Sequence, residues 1–448
     1  MRDIVIILYF MALVPAILRW PFLGILGWSV VSYMNPHQLG WTYTSSLPFA
    51  MVIALATLLG FVLQPGRKGI PVQPITVLLL VFIGYATLTT FFAVAPVAAK
   101  AKYIEFFKIM LMTFLTIPLM ASRERIHALV WVIVLGIGFY GVKGGIFTVI
   151  TGGEHRVWGP PASVIRDNNQ LALALIMLLP LVRYLHQHTA DKWIRHGLLL
   201  SMVFIAVAII GSYSRGALLA GFACLFWLFL KSRHKVPVFG LGVVLVGVIL
   251  FMMPEQWFAR MQSIESYADD PSVQGRFDAW TYAWRLAEMR PLVGGGFAPN
   301  YNDALFMQLV PDAFKVRSFH SIYFETLGEH GWPGLILFLT IGLAGLITAQ
   351  RIANQTRGIP HLAWAHDLAS MVQVSLVGYA AGGAFLNLSN FDLYYHILIL
   401  LVLIRVVIAP EINRVPAPLA RRAAAARAEA EAKAAAGRPS GPAGSLAR

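Results

Sequence analysis

Residues 196–231 read HGLLLSMVFIAVAIIGSYSRGALLAGFACLFWLFLK, and this stretch decides the class of fold. It holds two apolar runs, 196–212 and 216–230, with only a short turn and one arginine between them. A helix needs about 20 mostly apolar residues to span the hydrocarbon core of a bilayer, and runs this long without alternation are not strands. The stretch therefore predicts two membrane-spanning helices joined by a very short turn.

The same pattern recurs along nearly the whole chain. Of its 448 residues, 58% are hydrophobic and 12% are charged, which is about half the charged fraction of ordinary soluble domains. We predict an all-α fold, a polytopic transmembrane helical bundle of about 12–13 crossings with one large extracytoplasmic loop at 254–331. The predicted crossings are 3–18, 20–34, 47–64, 73–93, 102–120, 126–150, 169–185, 196–212, 216–230, 236–253, 332–350, 368–387 and 393–409.

The basic residues orient the predicted bundle. The formal net charge is +14, and most Lys and Arg residues lie in short gaps between apolar runs. Cytoplasmic loops carry an excess of Lys and Arg, so these gaps are predicted to be cytoplasmic. The charges are not interleaved with aromatic residues on a polar surface, so we predict no nucleic-acid binding. The residues that define the cytoplasmic side are Arg67, Lys68, Arg123, Arg125, Lys192, Arg195, Lys231, Arg233, Lys235, Arg351, Arg357, Arg414, Arg421 and Arg422. The predicted extracytoplasmic gaps are 94–101, 151–168, 212–215, 254–331 and 388–392.

The two ends of the chain differ in composition from the rest of the predicted bundle or leave its number of crossings open. The first two apolar runs meet at Arg19 and Trp20, so either both cross, with the N-terminus outside, or one is re-entrant and twelve crossings remain. We favour the second alternative. The first run has no basic segment before it and no clear cleavage site, which predicts a retained anchor. The embedded bundle is predicted over 1–410, followed by a cytoplasmic Ala-, Arg- and Glu-rich and then disordered tail at 411–448.

Arg215 is the first candidate functional residue. It lies in the turn SYSRG at 212–216, at or just below the outer membrane boundary. An arginine at a helix start opposes the helix dipole, and here it also opposes the charge bias of the loops. Ionisable residues at membrane depth commonly mark functional sites, whereas the alternative is a side chain that reaches lipid phosphate. We favour the functional interpretation.

Two more arginines lie in the outer gap at 151–168. The segment GEHRVWGPP at 153–161 contains Arg156, and Arg166 begins the segment RDNNQ at 166–170. We predict that both belong to a polar rim over a cavity. The alternative for the second segment is structural, because Asp and Asn after a loop are typical helix N-caps.

The long outer segment contributes Arg276, in GRFDAW at 275–280. Residues 276–289 predict an amphipathic helix that lies along the membrane surface. Its aromatic residues are predicted to face lipid; they are Phe277, Trp280 and Trp284.

The last candidate segment is SFHSIYFE at 318–325, just before a crossing. His320 can accept a proton near neutral pH, and it lies on the face that holds the predicted arginines. A solvated loop histidine is the alternative. Tyr323 and Glu325 are predicted as supporting residues. No metal-binding, nucleotide-binding or nucleophile-elbow motif is present, so we predict no cofactor and no metal.

These motifs, taken in order, give the chain a resemblance to a known group. It resembles the O-antigen ligase and O-antigen polymerase superfamily of bacterial membrane proteins over about residues 1–410. The features are Ser-Arg-Gly at 214–216, Gly-Arg at 275–276 and His-Ser-x-Tyr at 320–323. The N-terminal half is similar to the O-glycosylation ligases associated with exosortase systems, in PFLG at 21–24, SYMNPH at 32–37, RVWGPP at 156–161 and DNN at 167–169.

The resemblance implies a metal-independent membrane glycosyltransferase on the periplasmic side of a bacterial inner membrane. The donor would be a glycan on undecaprenyl diphosphate, and the acceptor a hydroxyl of a lipid, glycan or protein, with membrane lipids around both. Arg215 and Arg276 are then predicted to bind the diphosphate, with Arg156 or Arg166 as a further contact. His320 is predicted to take the proton of the acceptor hydroxyl.

Two alternatives remain open from the sequence. A polymerase of the same superfamily would use the same donor with another glycan chain as acceptor. A polytopic transporter would also carry intramembrane arginines, although it often shows internal repeats, and none is visible in this sequence.

Overall fold

A computed structural model gives the structure of residues 2–39, 44, 47–64, 69–231, 235–262 and 271–413. The protein is all-α: 80% of it is helical, and no strand occurs in the residues that the structure describes. The predicted fold class is thus confirmed. Arg67, Lys68, Arg233 and the predicted tail from residue 414 onward lie outside the described residues.

Sixteen α-helices account for the described part of the chain. They are α1 (Arg2–Arg19), α2 (Phe22–Met34), α3 (Phe49–Leu63), α4 (Pro74–Thr90), α5 (Pro96–Leu119), α6 (Arg123–Ile150), α7 (Asn168–His188), α8 (Lys192–Gly211), α9 (Arg215–Lys231), α10 (Lys235–Met252), α11 (Glu255–Gln262), α12 (Pro271–Met289), α13 (Asp303–Leu309), α14 (Ile322–Thr356), α15 (Ala363–Gly383) and α16 (Asp392–Asn413).

Each predicted crossing coincides with one of these helices. Five helices in the described residues are long and apolar enough to cross a membrane by length and composition, namely α6, α7, α8, α14 and α16. Shorter apolar helices accompany them, at Ile6–Arg19, Phe22–Met34, Phe49–Leu63, Pro74–Thr90 and Gly242–Met252. The additional helices α11, α12 and α13 all lie in the predicted outer loop.

The core of the bundle lies around α16. Every side chain from Phe391 to Ile404 is at most 4% exposed, so this helix is surrounded by protein on all sides. Neighbouring helices approach each other closely at small residues. A Cβ on Gly145 of α6 would lie 2.0 Å from the Phe204 carbonyl oxygen of α8, so only glycine permits this contact. Such close approach at small residues is typical of helix packing in membranes.

The contacts at the two ends of α2 bear on the predicted number of crossings. At its start, Arg125 Cζ of α6, on the predicted cytoplasmic side, lies 4.5 Å from the centre of the Phe22 ring. At its end, Asn35 Nδ2 donates to the Pro161 carbonyl oxygen at 2.9 Å, in a predicted outer segment. With 13 residues, α2 is about 20 Å long. Its two ends thus contact segments that are predicted on opposite sides of the membrane, and the choice between twelve and thirteen crossings stays a prediction.

The outer segment has a small core of its own. Helix α12 packs on the first part of α14, and the buried residues of this core are Ala279, Tyr282, Ala283, Leu286, Phe306, Val310, Ala313 and Phe319. The three aromatic residues that were predicted to face lipid have different environments. Phe277 and Trp284 are 44% and 46% exposed. Trp280 instead stacks on Phe324, with ring centres 5.0 Å apart, and donates from Nε1 to the Phe319 carbonyl oxygen at 2.7 Å.

A kink divides α14 into an outer part and a crossing part. Gly331 has φ 65° and ψ −169°, a backbone conformation that residues with a Cβ rarely adopt. A Cβ at this position would also lie 2.4 Å from the Pro291 carbonyl oxygen. The kink leaves residues 322–330 at the outer end of the bundle, where the predicted functional residues lie.

The orientation can be tested with reporter fusions. Because the basic gaps are predicted to be cytoplasmic, we expect cytoplasmic signals from fusions at Lys68, Arg125, Arg195, Lys235 and Arg357. Fusions at Arg156 and Asp303 should give extracytoplasmic signals. A cytoplasmic signal at Asp303 would place the long loop, and every candidate residue on it, in the cytoplasm. This result would contradict the predicted orientation.

Candidate functional site

Arg215 is the first residue of α9 and follows a tightly bonded turn. Ser214 accepts at Oγ from the Ala217 amide at 3.2 Å and so caps the helix. Asn168 Nδ2 donates to the Ser212 carbonyl oxygen at 2.6 Å, which ties this turn to the start of α7. Arg215 is half-buried there. The turn thus holds a guanidinium at the predicted outer boundary, as expected from the sequence.

The loop before α7 packs against the same turn. The Val157 amide donates to the Gly211 carbonyl oxygen at 3.1 Å. Arg156 is exposed, and its Cζ lies 5.8 Å from the centre of the Tyr213 ring. Burial raises the pKa of Tyr213, and the Arg156 guanidinium partly offsets this increase. Arg156 therefore lies close to the turn that precedes Arg215.

Arg166 lies in the loop directly before α7. Its side chain is exposed, while its carbonyl oxygen accepts from the Gly159 amide at 3.0 Å. The next residue, Asp167, caps α7, because its Oδ1 accepts from the Asn169 amide at 2.9 Å. The structural alternative for this segment is thus confirmed for Asp167. Replacing such a cap costs about 1 kcal/mol of stability.

His320 is held in an unusual backbone conformation. Its φ is 47°, in the left-handed region that non-glycine residues rarely occupy. The His320 amide donates to Asn387 Oδ1, and its ring Nε2 lies 3.1 Å from Ser318 Oγ. Strained backbone of this kind persists only where its surroundings hold it, and it is common at functional sites. The segment between α15 and α16 therefore fixes the position of His320.

Charged groups surround the His320 ring. Burial lowers the pKa of His320; Arg276 lowers it further, as does Arg317, while Asp167 and Glu325 raise it. The net effect is a lowered pKa, so the imidazole is neutral near pH 7 and is able to accept a proton. The predicted pair of His320 and Arg276 is thus brought together by the fold.

Arg317 was missed by the sequence analysis. It packs on Gly275, where a Cβ would lie 2.9 Å from Arg317 Nε. The glycine before Arg276 therefore makes room for a second guanidinium beside the histidine. One signal was available, because Arg317 is a basic residue in a predicted outer segment, against the charge bias of the loops.

One short segment, at 385–387, lies close both to the residue after Arg215 and to His320. A Cβ on Gly216, next to Arg215, would lie 3.5 Å from Phe385 Cβ. Two residues further along, Asn387 accepts the His320 amide hydrogen. The structure thus assembles parts of three separate sequence motifs at the outer end of the bundle.

The two predicted supporting residues have different environments. The Tyr323 hydroxyl donates to the Ala380 carbonyl oxygen at 2.7 Å and so joins α14 to α15. Glu325 is buried and accepts from Lys102 Nζ at 2.7 Å. Lys102 also contacts Glu329 Oε1 at 2.7 Å. The sequence analysis proposed no role for Lys102, the first residue of a predicted crossing, or for Glu329, which lies in the predicted outer loop.

A shallow cavity of about 450 Å³, open to the surface, lies beside α12 on the predicted outer segment. It is lined by four aromatic side chains together with Thr, Arg and Glu; the residues are Phe277, Trp280, Thr281, Trp284, Arg285, Glu288 and Phe324. Trp284 Nε1 donates to Glu288 Oε1 at 2.7 Å, which fixes one wall. Through Trp280 and Phe319, this cavity adjoins the segment that carries His320.

Within the described residues, no group of three or more His, Cys, Asp or Glu side chains is arranged to hold a metal ion. Positive charge at the site comes from the guanidinium groups.

Comparison with known protein families gives two matches. Residues 1–190 match a family of unknown function (DUF5935), and residues 200–339 match the O-Antigen ligase family. No curated protein matches the chain. The second match contains Arg215, Arg276 and His320. It supports the O-antigen ligase superfamily and, at that level, an enzyme of membrane glycan transfer.

Proposed function

We propose that this protein transfers a glycan from undecaprenyl diphosphate to an acceptor hydroxyl at the periplasmic face of a bacterial inner membrane. The observation that carries this proposal is the position of His320, a histidine with a lowered pKa beside Arg276 and Arg317. It lies at the outer end of the bundle, in a segment that matches the O-Antigen ligase family.

The arginines suit the donor. As the bond between the anomeric carbon and the diphosphate oxygen breaks, negative charge grows on the diphosphate. A guanidinium can donate two parallel hydrogen bonds to phosphate oxygens, and fixed donors at a partly dry site stabilise such charge strongly. We assign this role to Arg215 and Arg276, with Arg156 or Arg166 as a further contact.

His320 suits the acceptor. The acceptor oxygen forms the new bond to the anomeric carbon and must lose its proton, which the neutral imidazole can take. The reaction needs no further reactant. The glycan moves to the acceptor, the proton moves to His320, and undecaprenyl diphosphate leaves. We propose that the reaction needs no metal, since the guanidinium groups supply the positive charge.

We also propose that the cavity beside α12 holds part of the sugar chain. Aromatic rings present a negative face to the weakly positive C–H groups of a sugar, and polar groups among the rings can meet its hydroxyls. Arg285 and Glu288 provide such polar groups in the cavity wall. A lipid tail in the same place would desolvate both charges without replacing their contacts with water.

The subgroup and the acceptor are further parts of the proposal. Similarity of the N-terminal motifs to exosortase-associated O-glycosylation ligases favours a ligase with a protein or exopolysaccharide acceptor. A polymerase of the same superfamily would act on the same donor with the same residues, and it differs only in its acceptor.

A deletion strain tests the proposed function. We expect cells without this protein to accumulate the undecaprenyl-diphosphate-linked glycan, because the step that consumes it is missing. Lipid extracts analysed by mass spectrometry measure the accumulation, and a plasmid with the wild-type gene should reverse it. Unchanged levels of the lipid-linked glycan, together with unchanged glycosylation of cell-surface products, would contradict the proposal.

A further inference from the structure

A buried ionic cluster joins the two halves of the chain. Lys102 Nζ of α5 lies 2.7 Å from Glu325 Oε1 and 2.7 Å from Glu329 Oε1. The side chains of these residues are 23%, 7% and 1% exposed, in the order Lys102, Glu325 and Glu329. Lys102 belongs to the segment that matches the family of unknown function, and both glutamates belong to the O-Antigen ligase match. Buried charged groups are costly unless they are paired, so such a cluster is a candidate for a specific role.

The cluster is bonded to the loops that form the candidate site. Glu325 Oε2 accepts from the Ser389 amide at 3.1 Å, two residues after Asn387, which holds the His320 amide. The Glu325 amide donates to the Ser321 carbonyl oxygen at 2.8 Å, directly after His320. The Glu325 carboxylate therefore restrains the loop that holds the His320 amide, while its backbone amide belongs to the first turn of α14.

Glu329 anchors a third segment. Its Oε1 accepts from the Ala298 amide at 2.8 Å, in the loop that follows α12. Lys102 thus balances the charge of two carboxylates that would otherwise repel each other in a poorly hydrated place. Without the lysine contact, each carboxylate keeps one backbone amide donor but loses its counter-charge.

We infer that Lys102 is a positioning residue for glycan transfer, acting through Glu325 on the loop at 386–391 and on His320. The segment at 1–190 therefore contributes to the reaction that the second segment carries out. This inference rests on the proposed function. Glu325 also has a direct electrostatic role in this inference. Its negative charge favours the imidazolium that forms when His320 takes the acceptor proton.

The other charges around His320 set the sign of the expected pH effect. Arg276 approaches from α12, Arg317 from the preceding loop, Asp167 from the start of α7 and Glu325 from α14. Two guanidinium groups disfavour the protonated ring, and two carboxylates favour it. Replacing Glu325 by glutamine leaves the guanidinium groups opposed by Asp167 alone, so His320 becomes a weaker base.

The test uses the purified full-length protein in proteoliposomes. The donor is undecaprenyl diphosphate that carries the host glycan, and an acceptor fraction is extracted from host cells; released undecaprenyl diphosphate is measured from pH 5 to 9. For Glu325→Gln we expect kcat to fall about tenfold, while the donor KM stays within about twofold of wild type. Because His320 becomes a weaker base, the acid limb of the pH–rate profile should move to lower pH. Glu325→Asp keeps the charge but shortens the side chain, so kcat should fall while the acid limb stays in place.

A double variant separates positioning from charge balance. Lys102→Met with Glu329→Gln removes the ammonium group together with one of its two carboxyl partners and leaves the Glu325 side chain in place. We expect its kcat to fall about tenfold at unchanged donor KM, because Glu325 loses its fixed partner. Thermal unfolding and gel filtration show whether each variant is folded. Asp367→Asn removes a similar polar pair, with His188 at 3.0 Å, from the opposite end of the bundle and should behave as wild type.

The outcomes distinguish this inference from the proposed function. If wild-type protein transfers no glycan, the proposed function fails. If wild type is active and the folded double variant keeps the wild-type kcat, Lys102 only balances charge and the inference fails. It also fails if Glu325→Gln keeps both the wild-type kcat and the wild-type acid limb.

Discussion

Replacing His320 by alanine is expected to reduce the rate of glycan transfer by about 10²–10⁴-fold, the usual contribution of general acid–base catalysis. The reason is that no other base replaces a neutral imidazole held beside the acceptor. The initial rate of undecaprenyl diphosphate release by purified protein measures the loss. Membrane insertion should be kept, because the His320 contact with Asn387 uses the backbone amide.

The lowered pKa of His320 also predicts how activity depends on pH. Burial, Arg276 and Arg317 hold the pKa of His320 below its ordinary value of 6.5. A base works only in its neutral form, so the wild-type rate should be constant around pH 7 and fall as the pH decreases through this lowered pKa. His155→Ala is the matched control, because His155 is an exposed histidine in another outer loop and should keep full activity. Near-normal transfer by a folded His320→Ala protein would assign His320 a structural role.

Arg215→Lys and Arg276→Lys are expected to impair transfer about 10- to 100-fold each, although the charge is kept. Lysine is a point charge and does not reproduce the two parallel hydrogen bonds of a guanidinium to a diphosphate. An arginine that only meets lipid headgroups would tolerate the change. The loss should be similar for donors with short and long glycans, since both carry the same diphosphate.

A third lysine variant controls for the substitution itself. Arg290 donates from Nη2 to the Phe92 carbonyl oxygen at 2.6 Å in the same outer segment, and lysine can make a single hydrogen bond of this kind. Arg290→Lys should therefore transfer at the wild-type rate. If Arg215→Lys and Arg276→Lys also transfer at full rate in purified form, the arginines do not bind the diphosphate in the proposed way.

The helices were predictable because they depend on local composition. Each apolar run became a helix, and the short turn before Arg215 followed directly from the spacing of two runs. The capping role of Asp167 was also visible, since N-caps depend on residues two or three positions apart. The sequence left the role of α2 open, because run length alone does not show what the two ends of a short helix contact.

The parts of the site that were missed depend on distant contacts. Lys102 pairs with Glu325, 223 positions along the chain, and no periodicity reports such a pair. The predicted crossing began at Lys102, whereas α5 begins at Pro96 and places the lysine inside the helix. Trp280 was assigned to the lipid face because its spacing fits one, but its indole N–H finds a partner in the Phe319 carbonyl oxygen. Amphipathic spacing identifies a face without identifying what covers it.

The most direct measurement follows the donor itself in proteoliposomes that contain only the purified wild-type protein. Undecaprenyl diphosphate with the host glycan is supplied together with the acceptor fraction, and both lipid products and glycosylated acceptor are quantified by mass spectrometry. Glycan transfer predicts that one undecaprenyl diphosphate is released for each glycan that becomes attached to an acceptor, with no movement of intact donor between the leaflets. Intact donor that crosses the bilayer, without cleavage of the bond between glycan and diphosphate, would contradict the proposed function and support a transporter.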